Sequence, residues 1–180
     1  MVGPNDRHRL HLTEDECHVS IFCPPLRGDE RFDEDGSYEA SGPIDETDRR
    51  MFIKRVDEMR RAGNEMMTAD GQARRVRMLT KADAVGFGFD DLRLAVGAEA
   101  TLWTRQHRQA NHVISGTGEV TDLRTGQTWA LGPSVAYYVG PEDRHSLRAN
   151  TDMHLLSVIS PPLVGDEQYD AEGVLTQSGP

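Results

Sequence analysis

The stretch QANHVISGTGEV, residues 109–120, together with LGPSVAYYVGPEDRHSL, residues 131–147, decides the fold of this chain. In both stretches apolar and polar residues alternate, and glycine or proline interrupts them at short intervals. A period of two is typical of β-strands with one buried face. The Arg-Thr-Gly sequence at residues 124–126 separates two such runs and predicts a hairpin with glycine in the left-handed position. These stretches therefore predict antiparallel strands.

The same pattern extends over residues 74–160 and predicts an all-β domain. Its strand-like runs are RRVRMLT, AVGFGF, LRLAVG, EATLWT, NHVIS, GEVTDL, QTWALG, AYYVG, HSLRA and HLLSVIS. Many short strands separated by turn residues indicate an antiparallel β-barrel or jelly roll. Apolar residues between Met51 and Met59 predict a short helix or strand that ends near Gly63. The acidic segments 28–50 and 164–180 are predicted to be extended tails.

One segment of the chain is repeated. Residues 2–43 align without a gap on residues 139–180, and 20 of the 42 aligned positions are identical. An offset of 137 residues is the length of a small domain rather than of a solenoid repeat. We therefore divide the chain into a partial copy (1–43), a linker (44–50) and one complete domain (51–180). The partial copy is interpreted either as the end of an upstream domain in a tandem protein or as an extension that packs on a neighbouring subunit.

Composition restricts the classes of protein to which the chain can belong. Its net charge is −10, so binding to a phosphate backbone is disfavoured. The sequence has neither the roughly 20-residue apolar run of a membrane span nor the apolar core of a signal peptide, which predicts a cytoplasmic protein. Cys17 and Cys23 align with His154 and Ser160 in the second copy, which predicts two plain thiols rather than a disulfide framework.

The two opening stretches resemble the paired motifs of the cupin superfamily, with Gln109 and Gly116 in the first motif and Pro141, His145 and Asn150 in the second. Among cupins, residues 74–173 are most similar to ectoine synthase. The tail PPLVGDEQYDAEG, residues 161–173, is the most specific part of this resemblance. Members of that family are small homodimeric cupins that use an iron-type metal to close N-acetyl-diaminobutyrate into a ring with loss of water. The resemblance thus implies a lyase acting on a small molecule.

The resemblance also implies a metal site. The family's Glu, Tyr and His ligands fall on Gln109, Tyr137 and His145. A neutral amide oxygen is a weaker ligand for iron(II) or a similar divalent ion than a carboxylate is, so we expect weak metal binding. His107, two residues before Gln109 on a predicted strand, is the candidate substitute ligand.

Substrate-contacting and catalytic positions are implied in the same way. The resemblance implies catalytic roles for Tyr137, Glu167 and Arg75. Family substrate contacts fall on residues of altered type, which are Ala73, Leu92, Thr104, Ser157, Ile159 and Tyr169. Loss of aromatic and sulfur groups at these positions predicts a reshaped pocket.

Three functions remain open at this stage. The chain is an ectoine synthase-like lyase, or a cupin enzyme that acts on another small amino-acid-like substrate, or a metal-free ligand-binding or structural cupin. The altered pocket favours the second function, and Gln109 favours the third.

Overall fold

The computed structural model describes residues 1–2, 8–31, 34, 51–68 and 70–176. The chain forms two compact units, Met1–Lys54 and Arg55–Pro180. In the first unit, the described residues contain no helix or strand. The Met1 amino group donates to Phe52 O at 2.7 Å, and Phe52 N donates to Met1 O at 3.2 Å. The predicted linker 44–50 lies outside the described residues.

The second unit is a β-domain with a short helix at its start. Its elements are α1 (Val56–Arg61), β1 (Glu65–Met67), β2 (Ala73–Leu79), a 3-10 helix (Lys81–Asp83), β3 (Gly88–Leu94), β4 (Glu99–Leu102), β5 (Arg108–Ser115), β6 (Gly118–Asp122), β7 (Thr128–Leu131), β8 (Ala136–Val139), β9 (His145–Ala149), β10 (Met153–Ser160), β11 (Gln168–Tyr169) and β12 (Leu175–Thr176). The predicted fold class, with its short N-terminal helix, is confirmed. No described helix is long and apolar enough to cross a membrane.

Two antiparallel sheets face each other. One has the strand order β1-β2-β3-β10-β5-β8 and the other the order β4-β9-β6-β7, while β11 and β12 form a small hairpin in the tail. The core lies between the sheets and is formed by buried apolar residues, namely Leu92, Leu94, Ala98, Val113, Val120, Leu131, Leu147, Ala149, Met153 and Leu155. Residues directly opposite each other on paired strands point to the same side of the sheet. We call a row of such partners across the larger sheet a rung, and the side chains of one rung point either into the core or away from it.

Strand β3 corrects one feature of the sequence analysis. The runs AVGFGF and LRLAVG were predicted as separate strands, with Asp90 and Asp91 outside both, yet β3 passes through the two aspartates. Each carboxyl group has a basic side chain beside it: Asp90 Oδ2 lies 3.5 Å from Arg75 Nη1, and Asp91 Oδ2 lies 2.5 Å from His154 Nε2. Basic side chains on the adjacent strands β2 and β10 therefore allow two consecutive acidic residues in the middle of a sheet.

The hairpin predicted at residues 124–126 is confirmed between β6 and β7. Gly126 has φ +75°, and Asp122 Oδ1 accepts a hydrogen bond from Arg124 N at 2.8 Å. Such an aspartate-anchored turn with a left-handed glycine is a standard hairpin closure.

The two copies of the repeated segment share one local structure. In the second copy, the Glu167 carboxylate accepts hydrogen bonds from Val164 N (2.6 Å) and Gly165 N (2.9 Å). In the first copy, the aligned Glu30 accepts from the backbone nitrogens of residues 27 and 28, at 2.6 and 2.8 Å. The repeated PPLxGDE sequence therefore encodes a loop closed by its own glutamate.

Elsewhere the copies differ in burial. Leu10 is 62% exposed, whereas the aligned Leu147 is 3% exposed in the core of the second copy. Glu16 and His18 align with the buried Met153 and Leu155, so the first copy lacks part of the apolar pattern that closes the barrel. Cys17 and Cys23 are exposed free thiols, as predicted.

Candidate functional site

A row of polar side chains crosses the inner face of the larger sheet. It consists of Arg77, Asp90, Ser157, Asn111 and Tyr137, which are consecutive register partners on β2, β3, β10, β5 and β8. We call this set the polar row. The next rung contains Leu92, Leu155 and Val113 of the core, so the polar row faces inward beside apolar residues. Buried polar groups with such alignment are expected at a functional site rather than in a purely structural core.

Tyr137 and His145 meet at one end of the polar row. Their ring centroids are 6.4 Å apart with an interplanar angle of 70°, and both residues line a cavity of about 430 Å³. The neighbouring Tyr138 also lines this cavity and is 59% exposed. The cavity also lies against β7 and β8, which are edge strands of the two sheets.

Burial sets the protonation of this pair. It raises the pKa of the Tyr137 phenol well above its usual value, and it lowers the pKa of His145 against an opposing effect of Asp143. His145 Nδ1 lies 3.2 Å from the Asp143 carbonyl oxygen, which can only accept, so Nδ1 carries the proton and Nε2 is the free acceptor. At neutral pH the site thus contains a protonated phenol and a neutral imidazole.

Gln109, Asn111 and Ser157 form a hydrogen-bonded group that we call the amide unit. Gln109 Nε2 donates to Asn111 Oδ1 at 2.8 Å, and Ser157 Oγ donates to the same oxygen at 2.5 Å. All three residues are buried, with exposures of 4% or less. Asn111 Nδ2 is buried and has no hydrogen-bond acceptor among the described residues.

Arg75 lies at the edge of a second cavity, of about 600 Å³, whose lining includes Ala73, Leu92, Glu167 and Tyr169. Its guanidinium lies 5.6 Å from the centre of the Tyr169 ring. Burial by itself would lower the pKa of Arg75, but Tyr169, Asp90 and Tyr137 together raise it. Arg75 therefore supplies a permanent positive charge to this cavity.

Arg77 was not among the residues predicted from the sequence. Its Nη1 lies 3.2 Å from Glu167 Oε2, its Nη2 donates to the Glu167 carbonyl oxygen, and its side chain is 2% exposed. Alternation from Arg75 was the available signal, since residues 75 and 77 of one strand face the same side. The Glu167 carboxylate, predicted to be catalytic, is committed to Arg77 and to two backbone N–H groups.

The predicted substrate contacts separate into two groups. Ala73, Leu92 and Tyr169 line the larger cavity. Thr104, Ser157 and Ile159 are fully buried, and they line neither of the two cavities in the described part of the chain.

The predicted substitute ligand His107 precedes β5 rather than lying on it. Its Nδ1 is 2.8 Å from the Pro161 carbonyl oxygen, which commits one ring nitrogen to the backbone. Within residues 1–2, 8–31, 34, 51–68 and 70–176, no group of three or more His, Cys, Asp or Glu residues could hold a metal ion.

The facing antiparallel sheets, the inward polar row and the paired cavities define a small cupin-type barrel with a polar interior. A predicted oxalate decarboxylase from Thermotoga maritima shares this fold, with a TM-score of 0.52 and 16% identity over 61% of this chain and 98% of that chain. This likeness concerns the fold alone.

The chain belongs to the ectoine synthase family, because the Ectoine synthase family model matches residues 51–178. L-ectoine synthase from Thermobifida fusca is 32% identical over 123 residues, which cover 68% of this chain and 90% of the relative. L-ectoine synthase from Desulfosudis oleivorans is 35% identical over 124 residues, 68% of this chain and 95% of the relative. The crystal structure of ectoine synthase from P. lautus matches with a TM-score of 0.59 and 29% identity, covering 64% of this chain and 81% of that chain. The resemblance inferred from the sequence is confirmed.

Proposed function

We propose that this chain catalyses an ectoine synthase-type reaction, the intramolecular ring closure of an N-acetyl-diaminobutyrate-like substrate with loss of water. The supporting observation is the pairing of Tyr137 with His145 in a cavity of an ectoine synthase family barrel. Arg75 lines the neighbouring cavity, and a guanidinium group binds carboxylates well. Its position therefore favours a substrate that carries a carboxylate group.

The chemistry requires a weak electrophile to be activated. The free amine of the substrate attacks the acetyl carbonyl carbon, a C–N bond forms, and the carbonyl π electrons move to oxygen. The former carbonyl oxygen then leaves as water when the ring C=N bond forms. Tyr137 O–H donates a hydrogen bond to the carbonyl oxygen. His145 Nε2 relays the two protons of the attacking nitrogen in turn: the first converts the alkoxide to a hydroxyl, and the second converts that hydroxyl to the water that leaves.

The family's metal does not fit the residues of this site well. Gln109 would offer a neutral amide oxygen, Tyr137 a phenol and His145 an imidazole, so none of the three is a carboxylate. In the described part of the chain, no group of three or more His, Cys, Asp or Glu residues could hold a metal ion. Iron(II) and similar divalent ions prefer a site with carboxylate ligands, so the proposed ring closure uses the side chains of the protein alone.

An assay of purified full-length protein with N-acetyl-diaminobutyrate tests the proposal, with the cyclic product measured by chromatography. We expect Tyr137→Phe to lower kcat about 100-fold, the usual contribution of a positioned acid–base group. Ser115→Ala is the control, since it removes an exposed hydroxyl group on β5 that lines neither cavity. Absence of product from the wild-type protein, with and without added iron(II), would refute the proposal.

A second candidate is ring closure of a different small amino-acid-like substrate. The observation that favours it is the full burial of Thr104, Ser157 and Ile159 at predicted substrate positions. N-acylated diamino acids of different chain and acyl length, assayed side by side, distinguish the two candidates. A kcat/KM higher for one of them than for N-acetyl-diaminobutyrate would establish the second candidate.

We also propose that the protein is a homodimer, as its family suggests. Ile114 on β5 and Tyr138 on β8 are exposed, at 39% and 59%, on adjacent strands. Light scattering coupled to gel filtration measures the molar mass directly. A mass equal to that of one chain at micromolar concentration would contradict the dimer.

A further inference from the structure

The larger cavity, of about 600 Å³, has an apolar side formed by the core of the barrel. Six apolar residues that line it belong to the buried core or pack against it, namely Ala73, Leu92, Leu94, Ala98, Leu102 and Leu147. We call this set the apolar wall. Apolar walls bind the apolar parts of a ligand, because both surfaces then leave water. The cavity is therefore suited to a ligand with a sizeable apolar group.

Arg75 places a positive charge beside the apolar wall. Arg75 and Ala73 are two residues apart on β2, so their side chains point to the same side of the sheet. Their register partners on β3 are Leu92 and Leu94, which are both buried in the core. A ligand that contacts both Arg75 and Ala73 therefore carries an anionic group close to an apolar one.

The larger cavity adjoins the cavity of Tyr137 and His145. Leu102 on β4 lines the larger cavity, and its register partner on β9 is His145, which lines the smaller one. Directly opposite residues have Cβ atoms about 4.5–5.5 Å apart. Burial raises the pKa of Tyr137, and the positive charge of Arg75 opposes this rise, so these two residues also lie near each other. One substrate can therefore contact the reactive pair, Arg75 and the apolar wall together.

N-acetyl-diaminobutyrate is small for this space. It has about 11 non-hydrogen atoms, whereas cavities of about 300–1,000 Å³ typically enclose drug-sized ligands. Its acyl group ends in a single methyl, so most of the apolar wall would stay in contact with water. A longer acyl chain fills the space without changing the reacting atoms, because only the carbonyl carbon of the acyl group enters the ring.

We infer that the preferred substrate is a diamino acid acylated with a chain longer than acetyl, that the apolar wall binds this chain, and that Ala73 determines the chain length that fits. This inference rests on the proposed function and specifies its substrate class. Ala73 is assigned this role because its methyl group leaves space in the cavity that a larger apolar side chain would occupy. The chain changes only the substituent on the ring carbon, and the former carbonyl oxygen still leaves as water.

The length of the acyl chain tests the inference by kinetics. Full-length protein is assayed with N-acetyl-, N-butanoyl- and N-hexanoyl-diaminobutyrate side by side. We expect kcat/KM to rise about fourfold for each added methylene that the apolar wall buries. The highest kcat/KM for the acetyl compound would overturn the inference and leave the proposed function intact.

Variants of Ala73 test its role in setting the chain length. Ala73→Trp narrows the cavity, and we expect it to lower the hexanoyl-to-acetyl ratio of kcat/KM at least about tenfold. Ala73→Leu is a milder variant, in case Ala73→Trp fails to fold, and should lower this ratio about fourfold. Ala62→Trp adds an aromatic side chain at an exposed residue outside both cavities and should leave the ratio unchanged. An unchanged ratio in both Ala73 variants would overturn the inference.

Binding without reaction separates the inference from the proposed function. N-acyl-4-aminobutyrates keep the acyl chain and the carboxylate but lack the attacking amine, so they cannot cyclise. By titration calorimetry, we expect the hexanoyl compound to bind with a Kd at least about tenfold lower than that of the acetyl compound. Tighter binding of the longer chain without turnover of any substrate would support the chain-binding role of the apolar wall and refute the proposed function. Kd values that do not depend on chain length would overturn the inference.

Discussion

Arg77 on β2 and Glu167 in the C-terminal tail form an ion pair with a 3.2 Å separation, although they are 90 residues apart in sequence. Both side chains are almost fully buried, at 2% and 5% exposure. Arg77 Nη2 also donates to the Glu167 backbone carbonyl, so the guanidinium holds both the side chain and the backbone of the tail. This contact fixes the tail beside the larger cavity, which Arg77 and Glu167 both line.

Replacing Arg77 is expected to destabilise the protein strongly. Arg77→Met leaves the Glu167 carboxylate buried without its cation, and breaking a buried pair in this way typically costs about 3–5 kcal/mol. Urea unfolding measures the loss. Arg74→Met, on the exposed face of the same strand, is the matched control and should change stability by less than about 0.5 kcal/mol. Equal losses in both variants would show that the ion pair is unimportant.

Glu167 should also contribute to acid sensitivity. Burial alone would raise the pKa of Glu167, but hydrogen bonds from Gly165 N and Val164 N and the charge of Arg77 together lower it. A carboxyl group with a lowered pKa in the folded state stabilises the protein above its unfolded-state pKa, and this contribution is lost as pH falls through the folded-state pKa. We expect Glu167→Gln to flatten the loss of stability below about pH 5, measured by urea midpoints. An unchanged pH profile would contradict this assignment.

Two glycines are expected to be irreplaceable for steric reasons. A Cβ on Gly116 would lie 2.1 Å from Asp152 O, and one on Gly173 would lie 2.1 Å from Thr101 O, and both residues have positive φ. Alanine at either position should cost well over 2 kcal/mol, since backbone atoms must move. Gly126→Ala is the control, because its φ is also positive but no atom lies within 4 Å. Its cost should be about 1 kcal/mol, from the left-handed conformation alone. Thermal unfolding compares the three variants.

Residues 1–43 are proposed to be a partial second copy that the barrel does not need. The first copy repeats the glutamate-closed loop, but it carries Glu16 and His18 at positions that are buried and apolar in the second copy. We expect a chain of residues 51–180 to fold cooperatively with a melting temperature close to that of the full chain. Limited proteolysis of the full chain should cut residues 44–50 before residues 111–158. Failure of the shorter chain to fold would assign the first copy a structural role.

Turnover of N-acetyl-diaminobutyrate is expected to be slow. Gln109 removes a negative charge from the family's metal position, and Ala73, Thr104, Ser157 and Ile159 change the predicted substrate contacts. If each change weakens transition-state binding by about 2–3 kcal/mol, the rate falls about a thousandfold or more. Steady-state kinetics of the purified protein check this expectation. Turnover near one per second would show that neither change is a handicap.

The sequence by itself determined the class of fold, the family and the positions of Tyr137 and His145. These follow from period-two alternation, turn residues and two local motifs, all of which are properties of short stretches of chain. The interruption predicted at Asp90 and Asp91 was wrong because local sequence contains no sign of the arginine and histidine that reach them from β2 and β10.

Only the tertiary structure decided which polar residues share one surface. The polar row joins five strands whose order in the sheet differs from their order in the sequence, so its register cannot be read from spacing. Arg77 was identified by its ion pair with Glu167. Asn111 was identified by its buried side-chain nitrogen, which has no hydrogen-bond partner among the described residues. Ion pairs and hydrogen bonds depend on distances of a few ångströms between residues far apart in the chain, and packing of the complete barrel sets those distances.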